Sequence, residues 1–162
     1  MNLLAGAPLW LLIPLIFLLL AAAAEDLWRM RISNMTCVGI AGLAVVAVFV
    51  KGPELTLWQN LLMVVVIFAI GTLLFAAHIM GGGDVKLLAA SALWLDLSMG
   101  WKMAVAMAIF GGIETLILLA LRRIPWPEPT RQKWLMLQKR QGIPYGVAIA
   151  GGMLLIMWWS NS

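Results

Sequence analysis

From its first residue to Ala24 the chain carries no charged side chain, and further apolar runs occupy residues 35–50, 57–80, 85–99, 101–121 and 143–159. A helix needs about 20 residues to cross roughly 30 Å of hydrocarbon, and several of these runs reach or approach that length. The runs are continuous, whereas the strands of a membrane barrel alternate lipid-facing and lumen-facing residues, so a barrel is disfavoured. With 64% hydrophobic and 11% charged residues and a mean hydropathy of +1.00, the 162 residues hold more apolar side chain than one soluble core could hide. The expected fold is all-α: one integral-membrane domain over residues 1–162, a polytopic bundle of about six transmembrane helices.

The apolar start ends in an alanine run, as a cleaved secretory signal does, but no Lys or Arg precedes it, so it reads as a retained first span. Gly52 and Pro53 in "KGPEL" stop the second helix. The fourth run is short and contains Asp96, yet charge requires it to cross. Arg29, Arg31, Lys86, Arg122, Arg123, Arg131, Lys133, Lys139 and Arg140 follow the first, third and fifth runs, whereas the opposite loops hold only Lys51 and Lys102. Because cytoplasmic loops are enriched in Lys and Arg, the basic loops face inward and both termini face the periplasm. The pI near 9.7 then reflects topology and attraction to anionic membrane lipid, with no call for a nucleic-acid partner. Segment 122–142, with prolines, tryptophans and basic residues, reads as an interfacial loop with a short amphipathic helix.

The lone Cys37 rules out an internal disulfide and reads as a small apolar helix residue; the lone His78 reads as a helix-end residue. Nothing in the sequence asks for a metal or a cofactor. Five acids lie beside or within spans: Glu25, Asp26, Asp84, Asp96 and Glu114. Ionisable groups at membrane depth are costly and are functional candidates. Asp26 falls just past the inner end of the first span, and Asp84 lies between the inner ends of the third and fourth, so topology puts both carboxylates at one level on one face. Such a pair can share one proton, one carboxylate activating water while the protonated partner polarises a carbonyl. Gly81, Gly82 and Gly83, just ahead of Asp84, should break the helix, adopt backbone conformations closed to other residues and let a peptide lie close. Asp84 then opens the next helix, near the positive end of its dipole.

Three segments together resemble the type IV prepilin peptidases, GxGD-type aspartic membrane proteases, in a small form like those serving Flp or tight-adherence pili. They are "DLWRMRISN" from Asp26, "GGGDVKLL" from Gly81 and "IPYGVAIAGG" from Ile143. The resemblance implies that Asp26 and Asp84 are the catalytic pair, that Gly81 and Gly83 are the motif glycines and that Lys86 is a basic residue of the same loop. It implies a prepilin substrate, with a short basic cytoplasmic leader and a hydrophobic helix, cut at the inner face of the bacterial cytoplasmic membrane. Pilus assembly machinery is a further partner in that setting. Larger relatives also methylate the new N-terminus and carry a cysteine-rich insertion; this chain has neither the insertion nor the cysteines, so cleavage without methylation is expected.

The chain departs from the family pattern at Ser33, where proline is usual, and at Trp28, often basic, which bears on the shape of the first loop. Glu25 reads as a solvated interface residue, Asp96 as structural or outer-surface, and Glu114 as a helix-contact residue. Arg29, Arg31 and Lys86 offset any attraction of a basic leader by Glu25, Asp26 and Asp84. Two other functions compete: a proton- or cation-coupled carrier, which would place acids and broken helices near mid-membrane, and a non-catalytic pilus assembly factor.

Overall fold

The computed structural model describes residues 1–137 and 142–162; Lys139 and Arg140 of the expected basic loop lie outside them. Among the described residues there are seven α-helices and no strand: α1 (Leu9–Arg29), α2 (Asn34–Lys51), α3 (Leu57–Ala76), α4 (Gly82–Ala92), α5 (Leu97–Arg123), α6 (Glu128–Lys133) and α7 (Tyr145–Asn161), with a 3-10 turn at Leu135–Leu137. Four of them, α1, α2, α3 and α5, are long and apolar enough to cross a membrane.

Local sequence sets the helix ends. Pro8, extended at φ −65°, opens α1, and Met30 closes it in the left-handed region at φ 52°. Ser33 caps α2 by accepting from the Met35 amide at 3.2 Å, so serine in place of proline makes a working helix start. Asp96, expected inside the fourth crossing, instead caps α5, accepting from the Met99 amide at 2.9 Å and the Ser98 hydroxyl at 2.7 Å. His78 follows α3 in the left-handed region at φ 57°.

The expected fourth run, 85–99, is divided between two elements. Helix α4 has only 11 residues, about 16 Å, roughly half the hydrocarbon thickness. It survives at that length because it is interior: α2, α3 and α7 pack around it, and Leu87, Ala89, Ala90 and Ser91 are buried. Beyond its end the chain fills the space itself. Leu3 and Leu4 are fully buried, the Leu3 amide donates to the Trp94 carbonyl at 3.0 Å, and the buried Trp94 indole donates to Ile40 O at 3.1 Å. Both termini lie at this end, since Asn2 donates to Ser160 and Gly6 to Asn161.

Around α4, α1 packs on α2 and α7, and α7 packs on α5. Small residues let α5 and α7 approach: Gly152 lies where an added Cβ would sit 3.3 Å from the Met107 backbone nitrogen. The outer faces are apolar, with Phe17, Phe49, Phe68, Leu73 and Leu116 exposed. On α3 the described burial is confined to Asn60 and Gly71, the pattern of a helix that meets lipid on most sides.

Candidate active site

Asp26 belongs to the last turn of α1, which runs on as helix past the apolar run to Arg29, and is only 4% exposed. A helix's first amides lack intrahelical partners, and α7 offers one of them to this acid. The Gly146 amide donates to Asp26 Oδ2 at 2.7 Å. Glycine is required for that approach: a Cβ on Gly146 would come within 2.8 Å of Oδ2 and 2.9 Å of the Asp26 Cβ. Two helices remote in sequence therefore fix one carboxylate.

Asp84 sits in the first turn of α4, 6% exposed, and its Oδ2 accepts from the Gly81 amide at 3.2 Å. This is the carboxylate half of a capping box, favoured at the positive end of the helix. The glycine strip does not act through unusual backbone angles as expected: among the described residues the glycines with positive φ are Gly6 and Gly52, and Gly81 is extended at φ −73°. What the strip supplies is space. A Cβ on Gly81 would meet Asp84 Oδ2 at 2.9 Å, and one on Gly83 would meet both the backbone nitrogen and the Cβ of Ile32 at 3.3 Å. Val85 lies against Gly71 of α3, five residues before that helix ends, which sets Asp84, one residue earlier, roughly one turn in from the end of α3.

The two acids line one cavity of about 240 Å³, together with Gly81, Gly82, Gly83, Arg31, Asn34 and Lys86. The cavity thus holds two carboxyl groups that can share one proton, with room for water and an extended backbone. That arrangement can perform acid–base chemistry on a carbonyl.

The neighbours hold the rim. Glu25 is not merely solvated: its carboxylate accepts from the Ser33 amide at 2.8 Å and the Thr36 hydroxyl at 3.3 Å, tying α1 to the start of α2. A proline at position 33 would lack that amide. Exposed Lys86 donates to Asn34 Oδ1 at 2.9 Å, linking α4 to α2 across the cavity mouth. Trp28 stacks on Trp134 with centroids 5.4 Å apart, and Arg122 donates to the Met136 and Gly142 carbonyls, both at 2.8 Å, so Trp134 is held against the end of α1 and Met136 and Gly142 against the end of α5. Glu114, on α5, lies within electrostatic reach of both Asp26 and Asp84, its oxygens buried beside Ala148 of α7. Among the described residues no group of three or more His, Cys, Asp or Glu could hold a metal ion.

Sequence reasoning missed Gly146, Asn34 and the role of Glu25. A proline followed within two residues by glycine at the head of an apolar run, as in "IPYG", is the one signal that points to an open helix start beside something that needs its amides.

In a comparison with protein families, residues 13–121 match the Type IV leader peptidase family, a stretch that contains Asp26, Asp84 and the glycine strip and ends before Gly146. Searches of curated proteins and of solved structures found no match.

Proposed function

We propose that this chain, which belongs to the type IV leader peptidase family and so is a prepilin-leader-peptidase-type membrane protease, cuts its substrates with the Asp26 and Asp84 carboxyl groups. The observation that carries the reading is the convergence of these two acids, from α1 and α4, on one recessed cavity floored by glycine.

Asp84 carries the shared proton and donates it in a hydrogen bond to the scissile carbonyl oxygen. Asp26, held by the Gly146 amide, takes a proton from water as the water oxygen attacks the carbonyl carbon. The tetrahedral intermediate collapses as the carbon–nitrogen bond breaks, and the leaving amine receives the proton that Asp26 took. Side-chain-free backbone at Gly81 to Gly83 lets the substrate strand lie against the cavity wall. The substrate is a prepilin of the Flp type whose basic leader is removed at the cytoplasmic face of the inner membrane, without subsequent methylation. The shared end of both termini, opposite the end that carries Arg29, Arg31 and Lys86, supports that orientation, with α7 and the stretch from α4 through Leu95 completing six crossings and the termini periplasmic. The carrier reading is less well supported, because both buried aspartates sit at helix ends and not in the middle of broken spans.

Co-expression with a prepilin tests this. Wild-type protein shortens the precursor, whereas Asp26→Asn and Asp84→Asn leave it at full length while inserting normally. Processing that survives either change rejects the pair.

A further inference from the structure

We infer that the groove between α2 and α3, floored by α4, is the docking track for the apolar helix of the membrane substrate, and so sets which precursors reach the two acids. The inference rests on the peptidase reading above. Helices α2 and α3 each pack on α4 more than on each other, which leaves a groove of about 490 Å³ open to the lipid side. Its walls are Val38 and Ala41 of α2 and Val64 and Phe68 of α3; its floor is Ala89 and Ala90. Two alanines where a helix would lie permit close backbone approach, the requirement for helix packing within lipid, where apolar burial gives little driving force.

Two observations select the occupant. The groove is continuous with the acid-lined cavity, because Asn34 and Lys86 line both. From Lys86 to Leu93 it follows α4 for two turns, about 10 Å. It is also apolar along its length and carries its one charged lining residue, Lys86, at the cavity end. A segment that changes from polar and extended to apolar and helical at the point of cleavage has that same polarity: its helix fits the groove while the preceding residues enter the cavity. A second apolar groove, between α1 and α2 and lined by Ile13, Phe17, Gly42 and Val46, is larger at about 650 Å³ but shares no lining residue with the cavity, so a helix there would not deliver its end to the acids.

The test uses full-length protein in membranes, a prepilin and a soluble peptide that covers the cut site but stops before the apolar helix. A photoreactive benzophenone side chain is placed at Val38, Val64 or Val46 in the Asp84→Asn protein. Capture of the precursor from Val38 and Val64 but not from Val46 is expected; capture from Val46 alone overturns the inference. In the otherwise unaltered protein, half-buried Ala41→Trp narrows the groove. It should slow cleavage of the precursor by about tenfold or more while leaving the soluble peptide within about twofold of wild type. Normal precursor cleavage by this variant, or equal loss on both substrates, overturns the inference. Failure of the wild-type protein to cut either substrate would instead reject the peptidase reading itself.

Discussion

At the end of the bundle that holds the termini, Asn60 is 1% exposed and its amide is fully engaged: Nδ2 donates to the carbonyls of Met1 and Leu93, both at 2.8 Å, and Oδ1 accepts from the Met1 nitrogen at 3.0 Å. At the opposite end, Asp26 and Asp84 are almost as buried, yet among the described residues each accepts one hydrogen bond, from Gly146 and from Gly81. A carboxylate has room for about four. Burying polar atoms with their partners stabilises a fold, and burying them short of partners costs stability. On the proposed reading, the difference between the two ends separates scaffold from chemistry: acceptor capacity left over beside a cavity is there for water and substrate to fill.

The strongest way to break this comparison is to neutralise either acid. Asp26→Asn or Asp84→Asn should lower the rate of precursor cleavage by about a thousandfold or more, with unchanged thermal unfolding in detergent or nanodiscs. A loss of stability without loss of activity would make the site end a scaffold like the other. Next in size, Gly146→Ala forces a methyl group to within 2.8 Å of Asp26 Oδ2. It should cost roughly a hundredfold in kcat with little change in KM, as expected for a displaced reacting group; wild-type kcat would show that the contact does not position Asp26.

The pH profile sharpens the comparison further. Because a carboxyl pair that shares one proton works only while it keeps that proton, kcat/KM for a soluble peptide should fall about tenfold per pH unit on the alkaline side as the shared proton is lost. A profile without that alkaline limb would remove Asp84 as the acid.

Smaller effects belong to the other end. Asn60→Leu strands two carbonyls and should destabilise the fold by about 1–3 kcal/mol without shifting the pH–rate profile. Trp94→Phe removes one hydrogen bond to Ile40 and should cost about 1 kcal/mol, read as a lower unfolding temperature. Either change altering the pH profile would mean that the two ends are coupled.

The meeting of Asp26 and Asp84 was legible because apolar runs fix on which side each loop emerges, and that count needs no contact detail. The depth of Asp26 was not, since nothing in "EDLWRM" marks where the helix stops until the left-handed turn at Met30 is seen. The shortness of α4 was hidden for a related reason: the apolar run continues past Ala92 through Leu93, Trp94 and Leu95 without a glycine or proline, and only the folded-in Leu3 and Leu4 explain the break. Gly146 was invisible in role because its partner lies 120 residues away.

That separation has a consequence for biogenesis. A ribosome delivers both aspartates long before it delivers Gly146, so a nascent chain already threaded into the bilayer through α5 has its acids but nothing to hold the first of them. On the proposed two-aspartate reading, proteolytic competence arrives only with α7, which spares the membrane a half-made protease.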